Sequence, residues 1–150
     1  MKRLIIMRGL PGSGKSTYVK DHFPHAEICS ADNFFVERDG VYRFDQSRIG
    51  EAHSNCQMRA FSGMVDGLPM VVIDNTSVKA WESELYIEMG NVFGYKVSII
   101  DMFDGGLSNE ELAERNAHGV PISTISRMRD NYFHDENAEN LGVCSILHLF

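Results

Sequence analysis

The stretch GLPGSGKS at residues 9–16 decides the fold, because it matches the phosphate-loop pattern G-x-x-x-x-G-K-[ST] in full. An apolar strand, RLIIMR at 3–8, precedes it, and a helix that ends near His22 is predicted to follow. Glycines let the main chain wrap around a phosphate with its N–H groups pointing inward, and the helix N-terminus adds positive potential. The motif predicts an ATP-phosphate site formed by Gly9, Pro11, Gly12, Ser13, Gly14, Lys15, Ser16 and Thr17.

Two side chains of this loop and one later carboxylate predict that the site binds a nucleotide together with Mg²⁺. The Lys15 amine can reach the β- and γ-phosphates of ATP, and the Ser16 hydroxyl can bind Mg²⁺. MVVID at 70–74 is typical of a strand covered on both faces, and Asp74 at its end occupies the Walker B position, which holds Mg²⁺ directly or through water. Capping of the next helix is an alternative role for Asp74, compatible with the first. The predicted cofactors are ATP and Mg²⁺.

Strands alternate with helical patterns along the chain. The strands are predicted near 3–8, 26–30, 70–74, 96–102 and 143–148. This alternation favours βαβ units, so we expect an α/β fold with three layers and a mostly parallel five-stranded sheet. A small helical lid is expected at about 105–121, and the polar segment 135–142 is expected to be a loop. The length of 150 residues fits one domain, 1–150.

Apolar spacing predicts the buried faces of two helices. The first runs from Ile49 to near Gly67 and places His53 on its apolar face, where a core histidine with satisfied hydrogen bonds is favoured over a substrate contact. The second begins after a cap at Thr76 or Ser77. Its buried side is predicted to consist of Trp81, Leu85, Met89 and Val92 or Phe93.

Composition and charge limit the partners and the compartment. The formal net charge is −7, which disfavours tight non-specific binding of nucleic acid but allows a local basic groove. Cys29, Cys56 and Cys144 have neither disulfide nor metal-site spacing, so we expect three small buried side chains. The apolar runs are too short for a membrane helix or a signal peptide, and a cytoplasmic protein is expected.

Other polar residues are candidates for the acceptor side of the same crevice. Asp32 follows the second strand, and ligands of open parallel sheets bind beyond the carboxyl ends of the strands, so its carboxylate is a candidate base for an attacking hydroxyl. A turn or cap aspartate is the alternative. In ELAERNAHGVP at 111–121, Arg115 is either a lid arginine that neutralises a transferred phosphoryl or part of a solvated helix face. His118 and Arg48 are each balanced between a substrate contact and a local or solvent-facing role.

The motifs, taken together, resemble a known family. They are GLPGSGKST (9–17), SADNFF (30–35), YRFD (42–45), EAH (51–53), VIDNT (72–76), GYKV (94–97) and RNAHGVP (115–121). In order and spacing over about residues 3–130, they are similar to the P-loop 5′-polynucleotide kinases, especially the kinase domain of the bacteriophage enzyme. They are also similar to kinase modules grouped with zeta-toxin-like AAA-type ATPases. This resemblance implies an adenylate-kinase-like P-loop NTPase fold.

The resemblance also implies an activity and residue roles. The activity is ATP-dependent transfer of the γ-phosphate to a 5′-hydroxyl end of DNA or RNA, in the host cytoplasm if the chain is phage-encoded. Asp32 takes the place of the general base, Lys15 and Ser16 hold the phosphates and Mg²⁺, and Arg115 is the lid arginine. The segment 120–128 lies near the adenine, and Arg127 within it is a candidate for stacking on a base or for a solvent-facing position.

The chain departs from the phage pattern in two places, and two other functions stay open. Phe35 stands where the phage enzyme has an arginine that contacts nucleic-acid phosphate, and His118 stands near a second basic residue of the phage lid. Phe35 and the acidic charge favour a small-molecule kinase acting on a nucleoside, antibiotic or sugar hydroxyl. A nucleotide-dependent binding module would keep the loop without acceptor chemistry.

Overall fold

The structure is a computed structural model that describes residues 1–134 and 137–150. Within these residues the strands form one sheet in the order β2-β3-β1-β4-β5, and all its pairings are parallel. The strands are β1 (Arg3–Arg8), β2 (Glu27–Cys29), β3 (Met70–Asp74), β4 (Lys96–Asp101) and β5 (Ser145–His148). The predicted α/β fold with a five-stranded parallel sheet is therefore confirmed.

Helices connect the strands and cover both faces of the sheet. They are α1 (Lys15–His22), α2 (Ile49–Val65), α3 (Trp81–Val92), α4 (Asn109–Arg115), α5 (Ile122–Asp130) and α6 (Ala138–Leu141). Two short 3₁₀ turns, Ala31–Phe35 and Gln46–Arg48, lie between β2 and α2. A loop was predicted at 135–142, and this was wrong because α6 lies within that range. Residues 135 and 136 lie outside the described part of the chain.

The central strand β1 explains why the phosphate loop is rigidly placed. Leu4 and Ile6 pack in the cluster that also contains α2 and α3 side chains, whereas Ile5 and Met7 pack on the opposite face with Val19 of α1. The four β1 side chains are at most 1% exposed. A strand buried on both faces has an almost continuous apolar sequence, as RLIIMR does. Its carboxyl end is thereby fixed between the ends of β3 and β4.

The predicted buried side of α3 was wrong for Trp81, Leu85 and Val92, whereas Met89 and Phe93 are partly buried and pack against the core. The helix begins at Trp81, and Ser77 has a φ of +48°, so neither Thr76 nor Ser77 caps it. Trp81 is 68% exposed and Val92 is 79% exposed. The sheet side consists of Ser83, Tyr86, Ile87 and Gly90. The cause is a close approach at Gly90, where an added Cβ would lie 2.6 Å from a Val97 methyl group.

Two further burial predictions were also wrong. His53 is exposed, because α2 turns its small residues toward the sheet instead, with Ala52, Cys56, Ala60 and Gly63 buried alongside Met64. Cys144 is exposed, whereas Cys29 and Cys56 are buried as expected. Among the described residues, no helix combines the length and hydropathy needed to cross a membrane.

Candidate functional site

The phosphate loop is fixed to the neighbouring strand ends by main-chain hydrogen bonds. The Gly9 N–H donates to the carbonyl of Thr76 at 3.0 Å, and the Leu10 N–H donates to the carbonyl of Phe103 at 2.8 Å. Thr76 follows β3 and Phe103 follows β4, the two strands that flank β1. The loop is therefore held on both sides where it leaves the sheet.

The same loop packs against α4, which belongs to the predicted lid at 105–121. Gly12 has a φ of +82°, in the left-handed region that favours glycine. A Cβ atom at this position would lie 2.6 Å from the carbonyl oxygen of Leu112. A glycine at position 12 thus lets the α4 backbone reach the loop directly.

Lys15 and Ser16 lie at the start of α1 and face the end of β3. The Lys15 amine donates to the carbonyls of Gly9 at 2.8 Å and Leu10 at 3.2 Å, so it lies across the loop. Burial lowers the pKa of Lys15, and the charges of Asp74 and Asp32 oppose this shift. Both carboxylates therefore act on the same amine.

Asp74 does not cap a helix, since α3 begins seven residues later with Ala80 at its N-cap position. Its Oδ2 accepts a hydrogen bond from the Ser16 hydroxyl at 2.8 Å. A hydroxyl and a carboxylate are hard oxygen donors of the kind Mg²⁺ takes, and protein-bound Mg²⁺ usually completes its shell with water and phosphate oxygens. No cluster of three or more His, Cys, Asp or Glu side chains suited to a metal occurs in the described residues. Ser16 and Asp74 therefore fit a magnesium site in which the phosphates of a bound nucleotide supply further ligands.

Asp32 lies in the 3₁₀ turn that follows β2, and Asn75 holds this turn beside β3. The Ala31 N–H donates to the Asn75 side-chain oxygen at 2.9 Å, and the Asp32 N–H donates to the Ser30 hydroxyl at 3.3 Å. Ser30 is thus the cap, which leaves the Asp32 carboxylate free of the backbone. Sequence reasoning did not select Asn75, whose only signal was its place in VIDNT directly after Asp74.

Two aromatic side chains from different segments contact the Asp32 carboxylate. His118 Nε2 lies 3.3 Å from Oδ2, and the Tyr42 hydroxyl donates to Oδ1 at 3.4 Å. The His118 and Tyr42 rings lie 4.3 Å apart between centroids. Burial, the Asp32 charge and this hydrogen bond raise the pKa of Tyr42 to about 12. Tyr42 was not among the predicted site residues; an antiparallel bridge between Val36 and Tyr42 brings it back toward Asp32.

The end of α4 and the turn after it are held by Asn116. Its side-chain oxygen accepts from the Val120 N–H at 2.8 Å, and its amide donates to the Ala113 carbonyl at 2.9 Å. Arg115, the last residue of α4, is exposed and has no hydrogen bond or ion pair within the described residues. The start of α4 is fixed by a capping box between Ser108 and Glu111.

Three other arginines, Arg48, Arg127 and Arg129, have distinct surroundings. Arg48 pairs with Glu51 at 2.9 Å and lies over the Phe34 ring, 4.7 Å from its centroid. It lines a pocket of about 570 Å³ beside the Asp32 turn, together with Phe44. Arg127 is exposed and lines a smaller pocket of about 200 Å³. Arg129 supports the start of the lid segment through an ion pair with Asp104 at 2.7 Å.

A buried arginine that sequence reasoning missed holds the loops around the site. Arg8, the last residue of β1, donates to the carbonyls of Ser77 at 2.7 Å and Val78 at 2.8 Å. Asp101 at the end of β4 accepts from the Phe103 N–H at 2.9 Å. Ser77 and Phe103 have positive φ angles, +48° and +44°. Ser77 directly follows Thr76, which anchors Gly9, and Phe103 itself anchors Leu10. Arg8 and Asp101 therefore stabilise the strained backbone that supports the phosphate loop.

With this geometry in place, comparison with known proteins identifies the family. A family model described as an AAA domain matches residues 4–134. The chain belongs to this family. Human NEDD4-binding protein 2 is 38% identical over 134 residues, which is 86% of this chain and 8% of that protein. Human YLP motif-containing protein 1 is 23% identical over 155 residues, 86% of this chain and 7% of that protein. This AAA-domain chain therefore spans less than a tenth of either relative.

Solved structures share the P-loop kinase-like, nucleotide-binding fold. A chain of the Pnkp1/Rnl/Hen1 RNA repair complex has a TM-score of 0.65 and 16% identity, covering 87% of this chain and 43% of that one. Chaetomium thermophilum Kti12 in complex with ADP-AlF3 has a TM-score of 0.61 and 14% identity, covering 97% of this chain and 88% of that one. Mycobacterium tuberculosis APS kinase CysC with AMPPNP and APS has a TM-score of 0.60 and 15% identity, covering 99% of this chain and 88% of that one. At these identities the likeness is one of fold.

Proposed function

We propose that the chain is an ATP-dependent kinase that transfers the γ-phosphate to a 5′-hydroxyl end of a polynucleotide, DNA or RNA. The observation that carries the proposal is a continuous polar connection between the phosphate loop and the candidate base. Ser16 contacts Asp74, and Asn75, the next residue, accepts from Ala31 beside Asp32. Burial lowers the pKa of Lys15, and the charges of both carboxylates, Asp74 and Asp32, oppose that shift. The donor phosphates and the acceptor hydroxyl thereby share one crevice.

The proposed chemistry uses Asp32 as the proton acceptor. The acceptor oxygen forms a bond to the γ-phosphorus while the bond from that phosphorus to the β-phosphate oxygen breaks. The hydroxyl proton passes to the Asp32 carboxylate, and ADP leaves. The Asp32 side chain is 48% exposed, so an acceptor can reach it. Lys15 and Arg115 stabilise the developing negative charge, and Mg²⁺ held by Ser16 and Asp74 would neutralise part of the phosphate charge.

The acceptor is proposed to extend from Asp32 toward the pocket that Arg48 lines. The pocket volume, about 570 Å³, is in the range of small-ligand sites and suits a terminal nucleotide. Phe44 is 50% exposed there and offers a ring on which a base can stack. The similar fold of a chain from an RNA repair complex supports a nucleic-acid acceptor.

A small-molecule kinase is the second candidate function. Phe35, at the position of the phage arginine, is 5% exposed and therefore offers no polar contact for a nucleic-acid phosphate. Glu37 and Asp45 also line the pocket and weaken the attraction of its two arginines, Arg43 and Arg48, for phosphates. APS kinase, a small-molecule kinase by name, has the same fold.

The test is a labelled-ATP assay with a panel of acceptors. The panel contains DNA and RNA oligonucleotides with a 5′-hydroxyl, the same oligonucleotides with a 5′-phosphate, free nucleosides, and small alcohols. Label is expected on the 5′-hydroxyl oligonucleotides and not on their 5′-phosphate counterparts. Label only on nucleosides or alcohols would establish the second candidate, and label only in free phosphate would refute both.

A matched pair of variants assigns the base. Asp32→Asn is expected to abolish transfer while ATP binding stays near the wild-type value, because the carboxylate serves the acceptor and not the nucleotide. Asp66→Asn, at the exposed end of α2, is the control and should leave transfer unchanged. Retained transfer in Asp32→Asn would remove this residue from the mechanism.

A further inference from the structure

The Asp32 carboxylate is bracketed by two hydrogen-bond partners from separate parts of the chain. Tyr42 contacts Oδ1 at 3.4 Å, and His118 contacts Oδ2 at 3.3 Å. An ionised carboxylate only accepts hydrogen bonds, so the Nε2 atom of His118 must carry the proton of this contact. Each carboxylate oxygen keeps a second lone-pair direction, which remains open to an acceptor hydroxyl.

The bracket joins the predicted lid to the turn that carries the candidate base. His118 lies in the turn between α4 and α5, which the Asn116 side chain fixes through Val120. Its ring lies against the Tyr42 ring in a tilted arrangement, at 4.3 Å between centroids with the planes 38° apart. His118 and Asp32 are both partly exposed, with 38% and 48% of their side-chain surfaces accessible. The contact therefore lies at the mouth of the crevice, where an acceptor would enter.

An exposed carboxylate without such partners would sample several rotamers. Fixing a side chain in one orientation costs conformational entropy. A base displaced by about 1 Å can lose roughly 100-fold in rate. Partners that hold the carboxylate before the acceptor arrives remove that loss from the catalytic step.

We propose that His118 and Tyr42 are positioning residues that hold the Asp32 carboxylate in the orientation that receives the acceptor proton, with the His118 Nε2–H as the principal donor. This inference rests on the proposed function, because it assigns a task to the base of that reaction. In this role His118 contacts the base, Asp32, and does not contact the substrate. It also makes closure of the 116–120 turn part of the assembly of the site.

The test separates the hydrogen bond from the ring contact. His118→Gln keeps an N–H donor at similar reach but loses the ring, whereas His118→Phe keeps the ring on Tyr42 but loses the donor. With the acceptor found in the labelled-ATP panel, we expect His118→Phe to lower kcat by about 10- to 100-fold with the KM for ATP unchanged. His118→Gln should retain most of kcat. Tyr42→Phe should lower kcat in the same way but by a smaller factor.

His25→Phe is the control variant, because His25 is exposed and makes no hydrogen bond or ion pair within the described residues. If His118→Phe works as well as wild type and His118→Gln fails, the ring alone matters and the proposed donor role is refuted. Equal kcat for wild type, His118→Phe and His118→Gln would refute the donor role as well.

A second measurement does not depend on activity. The ring ¹⁵N resonances of His118 should shift between wild type and Asp32→Asn, while those of His25 should not. No shift would show that the bracket is absent in solution and would overturn this inference alone, since transfer to an acceptor could still occur. Absence of transfer to every acceptor by the wild type would refute the proposed function and, with it, the positioning role.

Discussion

Nη1 of Arg8 lies 3.5 Å from Oδ2 of Asp101, and the two residues are 1% and 3% exposed. They are register partners at the ends of β1 and β4. The Arg8 guanidinium also donates to the carbonyls of Ser77 and Val78, beyond β3. This buried pair therefore connects the ends of three adjacent strands directly beneath the phosphate loop.

Arg8→Met is expected to lower the free energy of unfolding by about 3–5 kcal/mol, because it removes the buried partner of Asp101 and a donor to the carbonyls of Ser77, Val78 and Phe133. Urea unfolding measures the loss. Arg3→Met is the matched control, since Arg3 lies in the same strand but is partly exposed. Similar stability for the two variants would contradict the structural role given to Arg8.

Asp74→Asn is expected to raise the Mg²⁺ concentration needed for half-maximal ATP binding by about 10-fold or more. The reason is the contact between Asp74 and the Ser16 hydroxyl, which places both oxygens where a metal on the phosphates would lie. Titration of Mg²⁺ against a fluorescent ATP analogue checks the shift. Asp66→Asn should titrate like wild type, and an unchanged midpoint in Asp74→Asn would remove Asp74 from the metal site.

The sheet could be predicted from the sequence because its signals are local. β1 and β3 are short apolar runs, and each is followed by a polar or glycine-rich turn. The phosphate loop is a contiguous motif, and the rule that ligands lie beyond the carboxyl ends of parallel strands placed Asp32 and Asp74 on its side. These inferences needed no knowledge of how distant segments pack.

The errors arose where packing between distant segments decides the outcome. Trp81 and Leu85 have helical apolar spacing, but the close approach of Gly90 to Leu4 and Val97 turns α3 the other way. A glycine adds no hydrophobic signal, so periodicity could not reveal it. Tyr42 and Arg8 were likewise missed, since their partners lie 10 and 93 residues away in Asp32 and Asp101.

Gly12→Ala is expected to weaken ATP binding and to destabilise the fold by about 1–2 kcal/mol, since φ there is unfavourable for a side chain. The new Cβ would also lie 2.6 Å from the Leu112 carbonyl and push α4 away from the loop. Gly50→Ala in α2 is the control, because a Cβ there meets no atom within 4 Å and alanine favours the helix by roughly 0.5–1 kcal/mol. Thermal unfolding and ATP titration compare the two; equal behaviour would argue against contact between α4 and the loop.

The Tyr42 hydroxyl should remain protonated well above the ordinary range of a tyrosine. Its pKa is raised to about 12 by burial first, and then by the Asp32 charge and hydrogen bond. Because this folded-state pKa exceeds the unfolded value of about 10, the stability that Tyr42 contributes is fully present below about pH 10 and is lost as the pH rises through the folded-state value.

A pH titration with ¹³Cζ-labelled tyrosine, assigned with Tyr42→Phe, measures this pKa directly. In Asp32→Asn the pKa should fall toward the ordinary value but stay above it, because the carboxylate charge is gone while burial remains. In Asp66→Asn it should not move, since that carboxylate lies at the end of α2. A Tyr42 pKa that is the same in wild type and Asp32→Asn would show that the two side chains do not interact in solution.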